Sequence, residues 1–332
     1  MSSRTKLWQE VTGFEPLCRA ARRAAKGKRQ RAGVARFMER LEPNVLVLQQ
    51  ELETGSYRPG EPQCFEIHDP KRRTISAAPF RDRVVHHALM APLEPLFEGR
   101  MLPHSFACRR GKGTHAALDH AQRLVRSKLW FHRFDVARCF DSIRHDVVIA
   151  SVERSVRDPR VRSLFECVIR SGGVEGRGLP IGSLTSQWSA NLILDRLDHF
   201  VLERLRPGGY VRYMDDFVLF ASGKPELREM RRAVCAFLED ELDLRAKERS
   251  LQLARCRDGL PFLGWRIYPR LRRIRPQNLR RIRQRMRRSR RHLRRGHDED
   301  AVATRVRATI EHLLAGNTHQ LVRGWVHPPR TV

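Results

Sequence analysis

The spacing of apolar residues predicts helices near both ends of the chain and a mixture of helices and strands between them. Apolar residues at three- and four-residue spacing indicate helices. They occur over 8–52, from 79 to the Pro92–Pro95 region, and over 116–125, 146–170, 188–201, 226–242, 270–295 and from about 301 to 325. Runs of β-branched and aromatic residues predict strands over 64–68, 74–77, 105–108, 129–134, 210–220, 244–253 and 262–268.

The stretch over 210–220 is the most informative of these patterns. Two adjacent acids, Asp215 and Asp216, lie between two β-type runs, which predicts a strand, a tight turn and a second strand. Acids at the tip of a turn can point into a cleft, where their hard oxygen ligands suit Mg²⁺. The alternative is a simple polar hairpin turn, so the metal interpretation requires another acid elsewhere in the chain.

A second stretch, 129–143, supplies that acid. An apolar, aromatic strand ends on Asp135, and Phe140 follows five residues later. If this strand lies beside the hairpin, Asp135 and Asp215 converge and can bridge a pair of cations. Asp141 has a different interpretation, as a helix cap.

The net charge predicts a polyanionic partner. The chain has 65 Lys and Arg against 37 Asp and Glu, a net charge of +28. Nucleic acid is the favoured partner because each neutralised phosphate releases counterions. An anionic membrane is the rival, but no long basic segment with a broad apolar face stands out. The segment 270–295 has fourteen arginines and no acid, which predicts a basic helix along a duplex backbone rather than only a solvated face.

Two further basic segments are candidates for phosphate contacts. The predicted hairpin over 64–77 carries Lys71 and Arg73 at its turn, which suits a triphosphate clamp or an ordinary solvated turn equally. The turn over 109–115 combines cations with two glycines, which let a backbone approach phosphates. Its spacing differs from that of a Walker motif.

The cysteines and the apolar content predict a soluble protein in a reducing compartment. Seven cysteines are spread singly along the 332 residues, which argues against a disulfide framework or a zinc site and favours a cytoplasmic protein. We find no apolar signal segment at the N-terminus and no apolar run of membrane-spanning length, so no membrane association is expected.

Several of these segments, taken in order, resemble a reverse transcriptase over roughly residues 57–268. The matching motifs are Phe134-Asp135, Phe140-Asp141-Ser142-Ile143, Leu179-Pro180-Ile181-Gly182 with Ser186-Gln187, Tyr213-Met214-Asp215-Asp216 and Phe262-Leu263-Gly264-Trp265. The resemblance implies an α+β right-hand polymerase fold with fingers, an antiparallel palm sheet with helices, and a C-terminal helical thumb. We expect an N-terminal helical extension at 1–56, fingers and palm at 57–268, and a basic thumb at 269–332.

The motif Ile181-Gly182 followed by Ser186-Gln187 indicates which kind of reverse transcriptase the chain resembles. Most reverse transcriptases have Gln where Ile181 stands and Pro where Gln187 stands. The combination here resembles the error-prone enzymes of diversity-generating retroelements, which copy a template-repeat RNA with errors at adenine. Apolar Ile181 cannot hydrogen-bond the incoming nucleotide as Gln can, so correct and incorrect pairs would differ less in free energy.

The resemblance also implies roles for individual residues. Asp135 and Asp215 would hold two Mg²⁺ ions with the assistance of Asp216, and Phe140 would exclude a ribose 2′-hydroxyl. The expected nucleotide contacts are Lys71, Arg73, Arg109, Phe140, Ile181 and Gln187. The expected nucleic-acid contacts in the thumb are Arg280, Arg281, Arg287 and Arg288.

The implied partners are a template RNA, a primer or cDNA duplex, deoxynucleoside triphosphates and a small basic accessory protein. The nearest alternative is a group II intron-like, retron-like or defence-associated reverse transcriptase. A different alternative is a non-catalytic RNA-binding protein that keeps the palm. The three acids Asp135, Asp215 and Asp216 favour an enzyme, because binding alone would not require all of them.

Overall fold

The computed structural model describes residues 3–68, 72–294, 299–318 and 322. Its helices are α1 (Ser3–Thr12), α2 (Phe14–Ala25), α3 (Ala32–Glu39), α4 (Leu41–Glu53), α5 (Phe80–Glu98), α6 (Thr114–Ser127), α7 (Cys139–Ser142), α8 (His145–Glu153), α9 (Pro159–Arg170), α10 (Leu184–His199), α11 (Lys224–Leu242), α12 (Pro276–Arg294) and α13 (Glu299–Leu314). Its strands are β1 (Gln63–Ile67), β2 (Arg73–Ala77), β3 (Trp130–Asp135), β4 (Gly209–Tyr213), β5 (Asp216–Ala221), β6 (Gln252–Arg255), β7 (Leu260–Phe262), β8 (Trp265–Ile267) and β9 (Arg272–Ile274).

The chain forms two compact units, each assembled from three segments. The first comprises Met1–Pro103, Val136–Phe200 and Val234–Ala246, and the second comprises His104–Asp135, Val201–Ala233 and Lys247–Val332. Helix α11 contributes its first half to the second unit and its second half to the first. The expected division at residues 57 and 269 is a division by function, and it stays a prediction.

The first unit is mainly helical. Helix α2 packs against α5, and the alanine-rich face of α2 is buried because small side chains allow close approach. Helix α5 continues through Pro92 and Pro95 as far as Glu98. The antiparallel hairpin of β1 and β2 is more exposed, with Phe65 opposite Ile75.

The second unit is built on a four-stranded antiparallel sheet of order β4-β5-β3-β6. Along these strands, buried residues either alternate with less buried ones or follow one another without interruption, as the sequence pattern indicates. Helix α6 covers the sheet. Buried Phe131, Val218 and Phe220 belong to the same core as Leu118 of α6. A smaller antiparallel sheet, β7-β8-β9, joins this core through fully buried Trp265.

Two predicted elements were wrong in extent because local backbone features interrupt them. The predicted strand over 244–253 is reduced to β6, since Asp243 has a positive φ of 52° and a short 3₁₀ turn follows Lys247. The predicted helix over 146–170 is two helices, because Asp158 caps α9 through the Arg160 N–H at 2.9 Å.

The arginine-rich segment and the last predicted helix also differ in their bounds. Residues Arg272–Ile274 form β9, and α12 begins at Pro276, where a missing N–H costs nothing. Helix α13 ends at Leu314, and Trp325 lies outside the described residues. The predicted strand at Ser105 is a single bridge to Arg212.

The cysteine prediction agrees with the structure: all seven thiols are free. Among the described helices, none is both long and apolar enough to cross a membrane.

A buried hydrogen-bonded carboxylate fastens the segment before β1 to the start of α5. Asp82 is 1% exposed and accepts from the Tyr57 hydroxyl and from the Gly60 N–H, both at 2.9 Å. Burial raises the pKa of Asp82, and these hydrogen bonds oppose that rise. The contact is therefore a stabilising link that neither residue's local sequence reveals.

We expect Asp82→Ala to lower the free energy of unfolding by about 1.5–3 kcal/mol, because it leaves the buried Tyr57 hydroxyl and the Gly60 N–H without their acceptor. Tyr57→Phe, which removes one donor, should cost about 1 kcal/mol. Urea denaturation measures both. The control is Glu15→Gln, which breaks an exposed ion pair with Arg19 and should cost less than about 0.5 kcal/mol. Equal effects of Asp82→Ala and the control would contradict the assignment.

Candidate active site

The strand register brings the predicted acids together at one end of the four-stranded sheet. Strands β3 and β5 pair antiparallel, so Asp135 lies directly opposite Asp216. Directly opposed residues project to the same face of a sheet, with their Cβ atoms about 4.5–5.5 Å apart. Asp215 precedes Asp216 in the hairpin loop. The predicted convergence of the 129–135 strand with the acidic hairpin is thus observed as a strand pairing.

A pair of stacked aromatic rings lies directly behind these acids. Phe134 and Phe217 are register partners, fully buried, with ring centroids 4.9 Å apart and planes within 2° of parallel. Stacking and burial of two large rings disfavour a slip of one strand along the other. A one-residue slip would move Asp135 to the opposite face, so these rings determine where the acids stand.

The hairpin loop that carries Asp215 is tight. Tyr213 pairs with Asp216, so Met214 and Asp215 form a two-residue connection, and Met214 has a positive φ of 57°. A side chain at positive φ is uncommon and costs free energy, which the surroundings must repay. Fully buried Arg212 contributes by donating from Nη1 to the Met214 carbonyl at 3.3 Å.

Arg133 forms a two-point ion pair with Asp216. Its Nε donates to Asp216 Oδ1 at 2.9 Å and its Nη2 to Oδ2 at 2.8 Å. The two side chains are only 17% and 16% exposed. Sequence reasoning missed Arg133, although residues two apart in a strand share a face, which places Arg133 beside Asp135.

The pKa values of Asp216 and Arg133 are shifted by their neighbours. Burial raises the pKa of Asp216 to about 6, Arg133 opposes the rise, and the charges of Asp135 and Asp215 add to it. Burial would lower the pKa of Arg133, but Asp216 and the other two acids raise it above its ordinary value. Three carboxylates and one guanidinium therefore share one electrostatic environment.

The donor set suits a hard divalent cation. Carboxylate oxygens are the ligands that Mg²⁺ prefers, and two acids on neighbouring strands leave room for water and phosphate oxygens. Within the described ranges, no group of three or more His, Cys, Asp and Glu side chains is arranged to hold a metal ion. Both oxygens of Asp216 accept from Arg133. The assignment of Asp135, Asp215 and Asp216 as metal ligands stays a prediction.

The first unit assembles several of the residues predicted to contact the nucleotide. Half-buried Phe140 lies in α7, and its carbonyl accepts from the Leu179 N–H at 2.7 Å. This bond holds the loop that contains Ile181 against α7. The loop then enters α10, whose first turn carries half-buried Gln187.

Strand β2 also borders this loop. Gly182 has a φ of 104°, and a Cβ there would lie 3.4 Å from Ile75 of β2. The positive φ favours glycine here, because a residue with a Cβ is strained in that conformation. Arg73, at the start of β2, is exposed, and Lys71 lies outside the described residues. Their predicted phosphate contacts stay predictions.

Arg109 is engaged in its own loop. It is 9% exposed and donates from Nη1 to the Ser105 hydroxyl at 2.7 Å and to the Ser105 carbonyl at 3.3 Å. Lys112 also donates to that carbonyl, at 3.1 Å. These bonds give Arg109 a structural role within the basic turn. Its predicted contact with phosphate stays a prediction.

The basic helix α12 has one buried edge and one exposed cationic face. Ile282 and Ser289 are buried, whereas Arg280, Arg287 and Arg288 are exposed. Arg281 is half-buried and donates to Asn278 at 3.3 Å. Leu293, near the end of α12, is 46% exposed.

The fold and the acidic hairpin define a polymerase of the reverse transcriptase class. The model of the family described as "Reverse transcriptase (RNA-dependent DNA polymerase)" matches residues 67–267, and the chain belongs to this family. The predicted class of enzyme, RNA-directed DNA polymerase, is confirmed at the level of the family. Domains of this family generally use divalent metal ions and act on a nucleic-acid template with deoxynucleoside triphosphates.

Individual relatives are similar over parts of the chain. Protein YkfC of Escherichia coli (strain K12) is 26% identical over 69% of this chain and 72% of its own length. Group II intron-encoded protein LtrA of Lactococcus lactis subsp. cremoris is 27% identical over 49% of this chain, but the match spans only 29% of LtrA. Nuclear intron maturase 2, mitochondrial, of Arabidopsis thaliana is 30% identical over 38% of this chain and 19% of its own length.

Solved structures support the fold. A telomerase from Candida tropicalis, truncated from its C-terminal domain, has a TM-score of 0.51 and 12% identity, covering 70% of this chain and 60% of that one. The apo telomerase of the same organism has a TM-score of 0.50 and 10% identity, covering 64% and 48%. The predicted right-hand polymerase fold is confirmed.

We expect Mg²⁺ to stabilise the protein more strongly as pH rises through about 6. The pKa of Asp216 is about 6 in the metal-free folded state, whereas an Asp in the unfolded chain has a pKa of about 3.9. Between these two pH values, the folded state holds a proton on Asp216 that the unfolded chain has lost. That proton favours folding at low pH, and its contribution disappears above pH 6. Protonation of Asp216 also removes the carboxylate charge that compensates Arg133, beside the acids predicted to bind the metal, and this disfavours a cation.

The measurement is the shift in thermal unfolding midpoint between Mg²⁺ and EDTA, taken at pH 5 and pH 7.5. We expect a larger shift at pH 7.5. Na⁺ at matched ionic strength is the control for general screening, which acts on all surface charges. An equal Mg²⁺ shift at both pH values would contradict the coupling of metal binding to Asp216.

Proposed function

We propose that this chain synthesises DNA on an RNA template, with Asp135 and Asp215 binding two Mg²⁺ ions at the primer end. The observation that carries the proposal is the register that sets Asp135 opposite Asp216, with Asp215 in the adjoining loop. Such a pair of acids, when loaded with metal, would favour ionisation of a primer 3′-hydroxyl and neutralise a triphosphate.

The protein's own residues would contribute position and charge. Phe134 and Phe217 hold the two acidic strands in register, so Asp135 stays aligned with the hairpin. Arg212 supports the loop carbonyl beside Asp215. Because phosphoryl transfer depends mainly on alignment and charge stabilisation, this rigid support is what the reaction requires of the protein.

A second group of residues would select the substrate. The Phe140 ring is proposed to exclude a 2′-hydroxyl, so that the product is DNA. Its backbone bond to Leu179 couples that ring to the Ile181 loop, which is proposed to border the incoming nucleotide. The exposed arginines of α12 are proposed to follow the phosphates of the template–primer duplex.

Two biological settings are compatible with this chemistry, and each has one observation in its favour. Ile181 and Gln187 favour an error-prone reverse transcriptase of a diversity-generating retroelement, aided by a small basic accessory protein. The relatives named as a group II intron-encoded protein and an intron maturase favour a group II intron-like enzyme at least as strongly. Both settings require an RNA template, a primer and deoxynucleoside triphosphates.

Substitution of an acid separates a polymerase from an RNA-binding protein. We expect Asp215→Ala to reduce Mg²⁺-dependent primer extension on RNA by at least about 10³-fold, because it removes a proposed metal ligand. RNA binding, measured by filter retention, should persist. Asp146→Ala, at a 57% exposed acid of the first unit, is the control and should extend primers normally. Extension by Asp215→Ala at the wild-type rate would overturn the proposed function.

Substitution of Ile181 separates the two biological settings. If the retroelement setting is right, the wild-type enzyme misincorporates mainly at template adenine, and Ile181→Gln should lower that error frequency by about tenfold. The measurement is sequencing of cDNA copied from a defined RNA. Val174→Gln, at a 76% exposed residue of the preceding connector, is the control and should leave the error spectrum unchanged.

A wild-type error frequency that is the same at all four template bases would favour the group II intron-like setting. An adenine-specific error frequency that survives Ile181→Gln would remove Ile181 from the explanation.

A further inference from the structure

We propose that Arg133 is a positioning residue that holds Asp216 in a neutral ion pair, so that Asp135 and Asp215 alone bind the divalent cation. This inference deepens the proposed polymerase function and rests on it. The two acids of the Tyr213-Met214-Asp215-Asp216 hairpin would then have different roles. Asp215 binds the metal, and Asp216 holds the hairpin to β3 through Arg133.

The geometry of the pair supports this assignment. Both oxygens of Asp216 accept from the same guanidinium, at 2.9 and 2.8 Å, in the parallel arrangement that gives Arg–carboxylate pairs their directionality. Both side chains are more than four-fifths buried. For Asp216 to bind a metal fully, it would have to break one or both hydrogen bonds inside the protein, which costs more than at the surface.

The strand register explains why Arg133 reaches this acid. Arg133 lies opposite Val218, and Asp135 lies opposite Asp216, so Arg133 and Asp216 are diagonal neighbours on one face. Diagonal neighbours on paired strands lie within reach of a long side chain. Lysine could supply the charge there but not the two-point contact, because its ammonium is a single point.

The charge arrangement gives the pair a second function. The charges of Asp135 and Asp215 both act on Asp216, and three carboxylates without a cation would repel. Arg133 is permanently charged and cancels one of them before any metal binds. The hairpin can therefore fold in its working register with Asp216 already neutralised, before any cation binds.

The experiment is a double-mutant cycle of Arg133→Gln and Asp216→Asn, read in the absence of nucleic acid. Two quantities are measured for each of the four proteins: the urea midpoint in EDTA, and the dissociation constant for Mg²⁺ by calorimetry. Neither depends on polymerase activity. A failure of the polymerase proposal would appear as the absence of Mg²⁺ binding by the wild type, whereas a failure of this inference would appear only in the cycle.

We expect Arg133→Gln to lower the urea midpoint in EDTA and to bind Mg²⁺ about tenfold more tightly, because a third carboxylate is released toward the site. The double variant should recover most of the lost midpoint and return to within about threefold of the wild-type Mg²⁺ affinity, since a neutral pair has been replaced by two neutral side chains. Arg133→Lys should lie between the wild type and Arg133→Gln.

A double variant that binds Mg²⁺ at least about tenfold more weakly than the wild type would overturn the inference, because Asp216 would then be a ligand itself. An Mg²⁺ affinity of Arg133→Gln equal to or weaker than that of the wild type would also overturn it. If Arg133→Gln does not fold, the Mg²⁺ affinity of the single variant Arg133→Lys is compared with that of the wild type, and tighter binding is still expected because the two-point contact with Asp216 is lost.

The matched control is Arg272→Gln. Arg272 is similarly buried, at 12% exposure, and pairs with Asp119 at 2.6 Å in the same unit. Its loss should lower the urea midpoint without changing the Mg²⁺ dissociation constant. A control that tightened Mg²⁺ binding as strongly as Arg133→Gln would show a general loss of positive charge rather than a local role, and would count against the inference.

Discussion

The pairing of β3 with β5 is the constraint on which the candidate site depends. It sets Phe134 against Phe217 and, one step further, Asp135 against Asp216. The aromatic pair is fully buried, so the hydrophobic effect holds the register, and the register in turn holds two charged groups together. A site that concentrates negative charge is unfavourable on its own. Its free-energy cost is met by the core directly behind it.

The candidate site also requires that the negative charge of its acids be compensated. The chain carries a large positive excess, yet its polymerase acids are gathered at one end of a strand pair, where burial raises the pKa of Asp216. Arg133 offsets that cost locally. The exposed arginines of α12 differ from Arg133, because solvent and salt screen them, and their proposed role is to attract a phosphate backbone. Buried Arg133 and the exposed arginines of α12 thus lie in different electrostatic environments.

Backbone contacts join the residues of the first unit that are proposed to select the substrate. The Leu179 N–H donates to the Phe140 carbonyl, and Gly182 lies beside Ile75 of β2. Family membership assigns the chain to reverse transcriptases, and the intron-related relatives share less than half of this chain. The choice between two biological settings therefore depends on a few residues of this assembly, above all Ile181.

The sequence by itself determined the class of protein, the strand–turn–strand around Asp215, the strand ending on Asp135 and the basic character of the last helices. These features are local, because strand and helix periodicity and turn composition act over a few residues. Only the tertiary structure decided that Arg133 pairs with Asp216, that Tyr57 meets Asp82, and that the predicted strand at 244–253 shortens to β6. Those outcomes depend on strand register and long-range packing, which bring together residues that are far apart in the chain. A local sequence pattern does not determine which of these distant residues pair.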